Sequence, residues 1–470
     1  MASNQNKTQL AVIGAGPGGY AAAFRAADLG IQTTIIDPEA RPGGVCLHRG
    51  CIPSKALLHV AGILSAAREA GPMGLNFAEP TIDLARIRDW KNEVVGGLTQ
   101  GLAGLCKARG VSYIQGRASL TGPNSLEIEG GDGLQFDHAI IASGSRPLLP
   151  AALATSSPLV MTSTEALGLN DLPARLLVVG GGYIGLELAT VYAALGSRVT
   201  VIEMTSGILP GVDRDLSRVL AKRLDSTLEE VRLDTSVSGL AVDGEKVTAG
   251  IQGPEGESEE SFDRVLVATG RCPNSQGLGL ETTAVETDEQ GFIQTNGQLR
   301  TAEPSIFAIG DVAGPPLLAH KATHEGLVAA EAIGGDSRTF EPSAIPAVVF
   351  TDPEIAWCGV TEAGARAEGL EVAVARFPWQ ASGRAATLGR GTGLTKLVCE
   401  ADGGAVLGVG IVGAGAGELI AEGVLAVEMG AVAADLAMTV HPHPTMSETL
   451  MEAAEVFAGT CTSIYRPPRR

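Results

Sequence analysis

Apolar runs and glycine turns alternate at two places in the chain in the order strand, turn, helix, strand. At the first place, an apolar run predicts a strand over 8–13, and an alanine-rich stretch predicts a helix over 17–29 that stops at Gly30. A further apolar run predicts a strand that ends at Asp37. The second place, "ARLLVVGGGYIGLELATVYAALGSRVTVIE", repeats the order and ends at Glu203. This order predicts an α/β fold with parallel strands.

Both turns carry the spacing G-x-G-x-x-G. The glycines are Gly14, Gly16 and Gly19 in the first unit and Gly180, Gly182 and Gly185 in the second. From the first glycine to the closing acid the interval is 23 residues in both units, 37 − 14 and 203 − 180. Such glycines let the backbone approach a pyrophosphate at a helix N-terminus, and the acid hydrogen-bonds ribose hydroxyls. The chain is therefore predicted to bind two dinucleotides.

The acid of the second unit indicates which nucleotide binds there. Glu203 would repel a 2′-phosphate, and residues 204–207 offer no arginine to bind one, so NAD is predicted rather than NADP. A chain with two such sites usually holds one cofactor permanently. A flavin in the first site and a nicotinamide in the second would form a hydride relay.

The segment "GGVCLHRGCIPSK" places Cys46 and Cys51 directly after the first unit. A zinc site would need further ligands, and only His48 and His59 are near in sequence. A structural disulfide is disfavoured in a cytosolic protein. A redox-active pair is the favoured interpretation, with the other two left open.

The spacing of the pair also favours redox chemistry. On an ideal helix five residues turn about 140° and rise about 7.5 Å, so a bridge from Cys46 to Cys51 must distort the backbone, and Gly50 permits this. A distorted bridge is more easily reduced. Pro53 suits the first turn of a helix, which puts Cys51 near its N-terminus, where a thiolate is stabilised. Lys55 adds positive charge.

Near the C-terminus, "HPHPTMSE" places His443 five residues before Glu448. This step suits an imidazole held by a carboxylate across a turn into a helix, which fixes the tautomer of a general base. His441 is interpreted as an ordinary loop residue.

Length and charge limit the function further. A chain of 470 residues suggests three or four domains. Its net charge of −19 argues against nucleic acid or an anionic membrane as the main partner, although a basic protein partner remains compatible. No signal peptide is recognised, no membrane span is expected, and the five cysteines outside the pair are scattered, so a cytoplasmic location is expected.

Several motifs together resemble the pyridine nucleotide–disulfide oxidoreductases over essentially the whole chain. They include "GGVCLHRGCIPSK", "GGGYIGLELA", "ATGRCPN", "IFAIGDVAGPPLLAHKATHEG", "VVFTDPEIAWCGVTE" and "HPHPTMSE". The resemblance implies an α/β fold with two Rossmann-like dinucleotide-binding domains, a central domain and an α+β C-terminal dimerisation domain. The implied bounds are 1–150 for the FAD domain, 151–274 for the NAD domain, 275–346 for the central domain, and 347–470 for the interface domain.

The resemblance also implies site residues and no metal. FAD would be bound by Gly14, Gly16, Gly19, Asp37, Lys55, Ala118, Gly310, Asp311 and Ala319. NAD would be bound by Gly180, Gly182, Gly185, Glu187, Glu203, Val237 and Gly270. Glu187 also resembles the family's partner for Lys55. His443 and Glu448 would come from the other subunit of a homodimer.

Within the family, the motifs are most similar to members that oxidise protein-bound dihydrolipoyl groups. The resemblance then implies that His443 deprotonates a dihydrolipoyl thiol, that the thiolate attacks Cys46, and that Cys51 passes electrons through FAD to NAD⁺. The partner would be a lipoyl-bearing acyltransferase or carrier protein of a 2-oxo acid dehydrogenase or glycine-cleavage complex.

Other functions remain as alternatives. A glutathione reductase would need arginines near Glu203, and a mercuric reductase or large thioredoxin reductase would need a second cysteine pair near the C-terminus. A docking subunit and a redox sensor without turnover are the alternatives from other classes. The sequence departs from the family at 142–144, which read Ala-Ser-Gly, at His48 and Arg49 between the cysteines, and at Asp37, where Glu is commoner.

Overall fold

The computed structural model describes residues 6–131 and 133–465. The strands are β1 (Asn6–Ile13), β2 (Thr33–Asp37), β3 (Ser112–Gln115), β4 (Ala118–Gly122), β5 (Ser125–Ile128), β6 (Leu134–Ile141), β7 (Ser145–Pro147), β8 (Val160–Met161), β9 (Arg175–Val179), β10 (Arg198–Ile202), β11 (Glu230–Arg232), β12 (Ser236–Asp243), β13 (Lys246–Gly253), β14 (Gly256–Phe262), β15 (Arg264–Val267), β16 (Arg271–Pro273), β17 (Ile306–Ala308), β18 (Ala347–Val349), β19 (Glu354–Gly359), β20 (Val372–Pro378), β21 (Leu394–Glu400) and β22 (Val406–Gly413). The helices are α1 (Pro17–Asp28), α2 (Gly44–Arg49), α3 (Cys51–Arg68), α4 (Leu84–Ala108), α5 (Ser163–Gly168), α6 (Tyr183–Leu195), α7 (Arg214–Thr227), α8 (Ala319–Ile333), α9 (Glu362–Glu368), α10 (Gly383–Thr387), α11 (Ala416–Glu428), α12 (Ala433–Met438) and α13 (Glu448–Ala458).

The first strand–turn–helix–strand unit forms as predicted. β1 pairs in parallel with both β2 and β6, and the sheet runs in the order β3-β2-β1-β6-β5-β4. α1 begins at Pro17, whose fixed φ suits the first helical turn, and Gly30 follows its end with φ +82°. The strand β17, far along the chain, also joins this sheet by pairing in parallel with β6. The chain that follows the second unit therefore returns to the sheet of the first unit and adds a strand to it.

The second unit repeats this construction around β9. The parallel sheet runs β11-β10-β9-β15-β8, and α6 crosses between β9 and β10. β9 and β10 are buried along nearly their whole length, as expected for parallel strands covered on both faces. A separate antiparallel sheet, β12-β13-β14, is inserted between β11 and β15.

The C-terminal part is built differently. Its antiparallel sheet has the order β18-β19-β22-β21-β20, and α11, α12 and α13 share one apolar cluster with it. Trp379 and Phe377 lie fully buried in this cluster. The predicted α+β character of this region is confirmed, whereas the four predicted domain bounds stay predictions.

One helical stretch within 6–131 and 133–465, Gly44–Arg68, is long and apolar enough by composition to cross a membrane. Gly50 divides it into α2 and α3, and both parts contribute residues to the wall of a large internal cavity. Leu57 of α3 is buried in the apolar cluster of the second unit, and Leu58 and Leu64 pack against that cluster.

Candidate active site

A cavity of about 770 Å³ lies between the first unit, the second unit and α8. This volume falls within the usual range for sites of organic ligands. The predicted site residues that line it are Gly14, Gly16, Asp37, Cys46, Cys51, Lys55, Ala118, Glu187, Gly310, Asp311 and Ala319. The cavity therefore brings together residues that the sequence spreads over about 300 positions.

The glycine turn of the first unit and its closing acid are joined directly. The Asp37 carboxylate accepts backbone N–H groups from Ala15 at 2.7 Å and Glu39 at 2.8 Å. A carboxylate has about four acceptor positions, so two remain for ribose hydroxyls. Gly19 lies beneath the turn, where a Cβ atom would stand 1.9 Å from the Gly14 carbonyl oxygen. The helix N-terminus at Gly16 carries no side-chain cap, which leaves its N–H groups available to an anion.

The second unit has the same arrangement. The Glu203 carboxylate accepts N–H groups from Gly181 at 2.7 Å and Thr205 at 2.8 Å. A Cβ atom on Gly185 would stand 2.2 Å from the Gly180 carbonyl oxygen. In both units, therefore, the closing acid accepts two backbone N–H groups, one from the glycine turn and one from the loop after the second strand.

The remaining residues predicted for the second nucleotide are placed less uniformly. Gly182 caps α6 without a side chain, and Gly270 follows β15 with φ +134°. Val237 packs against the apolar cluster beneath the second sheet. Glu187, in contrast, faces the first cavity, where it pairs with Lys55.

Gly50 separates the helices that carry the two cysteines. Cys46 lies in α2, and Cys51 is the first residue of α3, as predicted. A Cβ atom on Gly50 would stand 2.8 Å from the Val45 carbonyl oxygen and 3.3 Å from the Cys46 Cα atom, so the close approach of the helices requires glycine. The structure shows both cysteines as free thiols on the cavity wall, and each shifts the pKa of the other.

The two thiols are electrostatically different. The hydrogen bond from Cys46 is the main cause that lowers the pKa of Cys51 to about 7, against the opposing effect of burial, and Lys55 lowers it further. The same hydrogen bond, together with burial, raises the pKa of Cys46. In the reduced pair, Cys51 is therefore the thiolate and Cys46 the proton donor.

An ion pair lies beside the cysteines. Lys55 Nζ stands 2.9 Å and 3.1 Å from the two carboxylate oxygens of Glu187, which is almost fully buried. Lys55 also lies 4.4 Å from the centre of the Phe350 ring, and the Phe350 N–H donates to Glu187 at 3.0 Å. These contacts fix the cation next to Cys51.

The turn at Gly310 is held by two buried residues that the sequence did not single out. Glu325 accepts the Gly310 N–H at 2.6 Å, and Lys321 donates to the carbonyl oxygens of Gly310 at 3.5 Å and Gly314 at 3.0 Å. Lys321 and Glu325 pair at 2.8 Å one helical turn apart on α8. Their spacing of four was a usable signal, since it puts both on one face of a helix.

His443 and Glu448 form the predicted pair. His443 Nδ1 lies 2.8 Å from Glu448 Oε1, and the Thr445 N–H donates to Glu448 Oε2 at 2.7 Å. Burial raises the pKa of Glu448, but the Thr445 and His443 hydrogen bonds outweigh it, so the net pKa is lowered. Residues from 13 to 322 line the cavity, so a single chain does not bring this pair to the cysteines.

Two further residues make contacts that the sequence did not indicate. His441, interpreted as an ordinary loop residue, has a buried ring bonded to Glu422 of α11. Arg214 lies beside the loop after Glu203, where its guanidinium donates to Ser206 at 2.9 Å. The contact of His441 with Glu422 spans 19 positions and depends on how α11 packs beside the C-terminal turn, which local spacing does not specify.

The departures from the family motif are accommodated by local bonds. His48 Nε2 lies 3.0 Å from the Arg41 carbonyl oxygen, and Arg49 pairs with Glu39 at the cavity wall. Ser143 donates to the Asn274 carbonyl oxygen at 2.8 Å. With these departures in place, Cys46, Cys51 and Lys55 still line the cavity.

Two family profiles match the chain. Residues 8–326 match the pyridine nucleotide-disulphide oxidoreductase family, and residues 345–454 match the dimerisation domain of that family. The family uses FAD and NAD. The groups in the cavity fit FAD, because they combine a carboxylate with two free acceptor positions, an uncapped helix N-terminus, and a lysine beside a cysteine pair.

Named relatives cover nearly the whole chain. A protein of Vibrio cholerae named dihydrolipoyl dehydrogenase is 46% identical over 466 residues, 98% of each chain. A protein of Halobacterium salinarum with the same name is 45% identical over 461 residues, 95% of this chain and 96% of that one.

Solved structures share the architecture. LpdA of Mycobacterium tuberculosis superposes with a TM-score of 0.87 at 27% identity, covering 95% of this chain and 99% of that one. The HOCl-induced flavoprotein disulfide reductase RclA of Escherichia coli gives a TM-score of 0.84 at 27% identity, covering 96% of this chain and 99% of that one.

Proposed function

Because the chain belongs to the pyridine nucleotide-disulphide oxidoreductase family, we propose that it oxidises protein-bound dihydrolipoamide to lipoamide and transfers the electrons to NAD⁺. The observation that carries this proposal is the pair of free cysteines on the wall of the cavity, with a lysine fixed beside one of them. The relatives named dihydrolipoyl dehydrogenase support the choice of substrate.

The cysteine pair exchanges with the substrate dithiol. In the oxidised enzyme, a substrate thiolate attacks the Cys46 sulfur, and the bond between Cys46 and Cys51 breaks, which leaves Cys51 as a thiolate. The second substrate thiol then attacks the mixed disulfide, forms the lipoyl ring and releases Cys46 as a thiol. Two electrons thus pass from substrate to the pair. When bound, FAD supplies the acceptor that carries them on to NAD⁺.

The charges around Cys51 suit this exchange. The helix N-terminus and Lys55 stabilise the thiolate, so Cys51 is a good leaving group. Gly14, Gly16, Asp37 and the Gly310 turn would hold FAD, with its ring end toward Lys55. Glu203 and the turn at Gly180 would hold NAD⁺.

His443 is proposed to take the proton from the substrate thiol. Its Nδ1 atom is bonded to Glu448, so Nε2 is free to accept that proton. His443 is largely exposed and stands outside the cavity of its own chain, and the C-terminal region matches a dimerisation domain. His443 of one subunit would therefore serve the cysteines of the other in a homodimer.

The proposed partner is a lipoyl-bearing acyltransferase or carrier protein of a 2-oxo acid dehydrogenase or glycine-cleavage complex, in the cytoplasm. The net charge of −19 would favour a basic docking segment on it.

The test is an anaerobic titration of the purified flavoprotein with dihydrolipoamide, followed by addition of NAD⁺ or NADP⁺. We expect a long-wavelength absorbance from the Cys51 thiolate beside the flavin, and reoxidation by NAD⁺ but not NADP⁺. Cys46→Ser should abolish the reaction with dihydrolipoamide while leaving the reaction with NADH. A wild-type spectrum that stays unchanged in excess dihydrolipoamide, with neither the long-wavelength absorbance nor a reduced flavin, would overturn the proposal.

A further inference from the structure

We infer that His441 is a positioning residue for the thiol-deprotonating base: held as an imidazolium between Glu422 and the Thr439 carbonyl oxygen, it pins the segment that presents His443. This inference rests on the proposed function, since it concerns the base of that reaction.

The ring of His441 is buried and bonded at both nitrogens. Nδ1 lies 2.8 Å from the Thr439 carbonyl oxygen, and Nε2 lies 2.7 Å from Glu422 Oε1. Only 5% of the His441 side chain is exposed. The ring therefore has fixed partners on both sides.

These partners determine the charge of the ring. A carbonyl oxygen and an ionised carboxylate can only accept hydrogen bonds, and a neutral imidazole has a single N–H group. Both bonds can form together only when both nitrogens carry a proton. The geometry therefore requires the imidazolium form.

The surroundings support this form. The charged groups facing His441 are Glu422 of α11 and Glu448 of α13. Burial lowers the pKa of His441, but the Thr439 carbonyl oxygen and Glu422 outweigh it, and the net pKa lies above the ordinary value. The charge on His441 also helps to lower the pKa of Glu448, which holds His443.

Thr439 bonds back to Asp435 of α12, and the Thr445 hydroxyl donates to the Pro442 carbonyl oxygen; between these bonds the segment depends on His441. Met438 is 83% exposed and Val440 is 95% exposed in the single chain, so neither side chain anchors the backbone to its own subunit. His441 is the buried member of this stretch, and its bond to Glu422 ties the stretch to α11 across 19 positions of sequence. Loss of the His441 charge should therefore loosen the approach to His443.

The test compares Glu422→Gln with Glu418→Gln in the full homodimer. Glu418 lies one turn earlier on α11 and is exposed, so its variant is a matched control. Removing an opposite charge at hydrogen-bond distance shifts a pKa by about one to three units. In Glu422→Gln the pKa of His441 should fall. The decline of kcat for dihydrolipoamide with rising pH should then begin about one to three pH units lower.

Three further readouts separate positioning from a general structural effect. In ¹³C-histidine NMR, the His441 ring should remain protonated to a higher pH in wild type than in Glu422→Gln. NADH oxidation with an artificial electron acceptor, which needs no thiol deprotonation, should be unchanged in both variants. His441→Lys, which keeps a buried cation, should recover more of the dihydrolipoamide kcat than His441→Gln.

The outcomes are distinct. Identical pH profiles for Glu422→Gln and Glu418→Gln, or a neutral His441 ring at neutral pH, would overturn the inference. A wild-type enzyme without dihydrolipoamide activity would instead refute the proposed function, and the NMR titration would still report the charge of His441.

Discussion

The groups that surround one sulfur atom, Cys51 Sγ, set the fraction of thiolate in the reduced pair. The hydrogen bond from Cys46 and the charge of Lys55 lower the pKa of Cys51, whereas Glu187 raises it. Glu187→Gln should therefore bring the pKa of Cys51 below about 7, and Lys55→Met should raise it, each by about one unit. The rate of alkylation of reduced protein against pH, resolved at the Cys51 peptide by mass spectrometry, measures this.

The informative result is that the two variants shift the pKa of Cys51 in opposite directions. Glu187 and Lys55 form one ion pair, so a purely structural disturbance of that pair would move both variants in the same direction. Arg86→Met removes one member of an exposed pair with Glu93 and should leave Cys51 unchanged. Equal shifts in the two active-site variants would refute the electrostatic account.

At the scale of elements, the break between α2 and α3 is what brings the two thiols into contact. Gly50→Ala places a methyl group 2.8 Å from the Val45 carbonyl oxygen, a backbone atom that cannot move aside cheaply. Overpacking of this kind costs about 1–3 kcal/mol. We expect a lower unfolding temperature and slower reduction by dihydrolipoamide, measured by calorimetry and stopped-flow absorbance.

Gly62→Ala is the matched control on the same segment. Gly62 lies inside α3 with no atom within 4 Å of an added Cβ. A helix-interior alanine there should stabilise by about 0.5–1 kcal/mol and leave the reduction rate unchanged. A Gly50→Ala protein that reduces as fast as Gly62→Ala would show that the close approach is not needed.

The elements that the sequence predicted are those governed by adjacent residues. β1, α1 and β2 follow from a glycine turn, Pro17 and Gly30, and the start of α3 follows from Pro53. The contact of His441 with Glu422 could not be predicted. It depends on how α11 packs beside the C-terminal turn, which hydrophobic periodicity does not specify.

For the whole molecule, a buried charge network joins the second dinucleotide unit to the C-terminal sheet. Lys396 of β21 lies 2.6 Å from Asp213 and 2.7 Å from Asp215, at the start of α7. Arg376 of β20 also pairs with Asp215 at 2.7 Å, and Glu362 of α9 lies 3.5 Å from Lys396. Only 1% of the Lys396 side chain is exposed, so this cation depends entirely on its carboxylates.

Lys396→Met should therefore weaken the contact between the second dinucleotide unit and the C-terminal sheet. Removing one member of a buried ion pair costs about 3–5 kcal/mol, because Asp213 stays buried without its cation. We expect α7 to exchange amide hydrogens faster and the second unit to unfold before the C-terminal sheet. Hydrogen-exchange mass spectrometry and urea unfolding followed by two probes measure this.

The control is Lys246→Met, which breaks the exposed pair with Asp263 and should cost no more than about 1 kcal/mol. A single coincident transition in Lys396→Met, with α7 protected as in wild type, would mean that apolar packing alone joins the two parts. Separate transitions would instead show that this network couples the glycine turn of the second unit to the domain that carries His443. In that case, a change at the dimer interface would reach the second nucleotide site through α7. The link is a hydrogen bond, since Leu209, just before α7, donates its N–H to the Gly181 carbonyl oxygen of that turn at 2.9 Å.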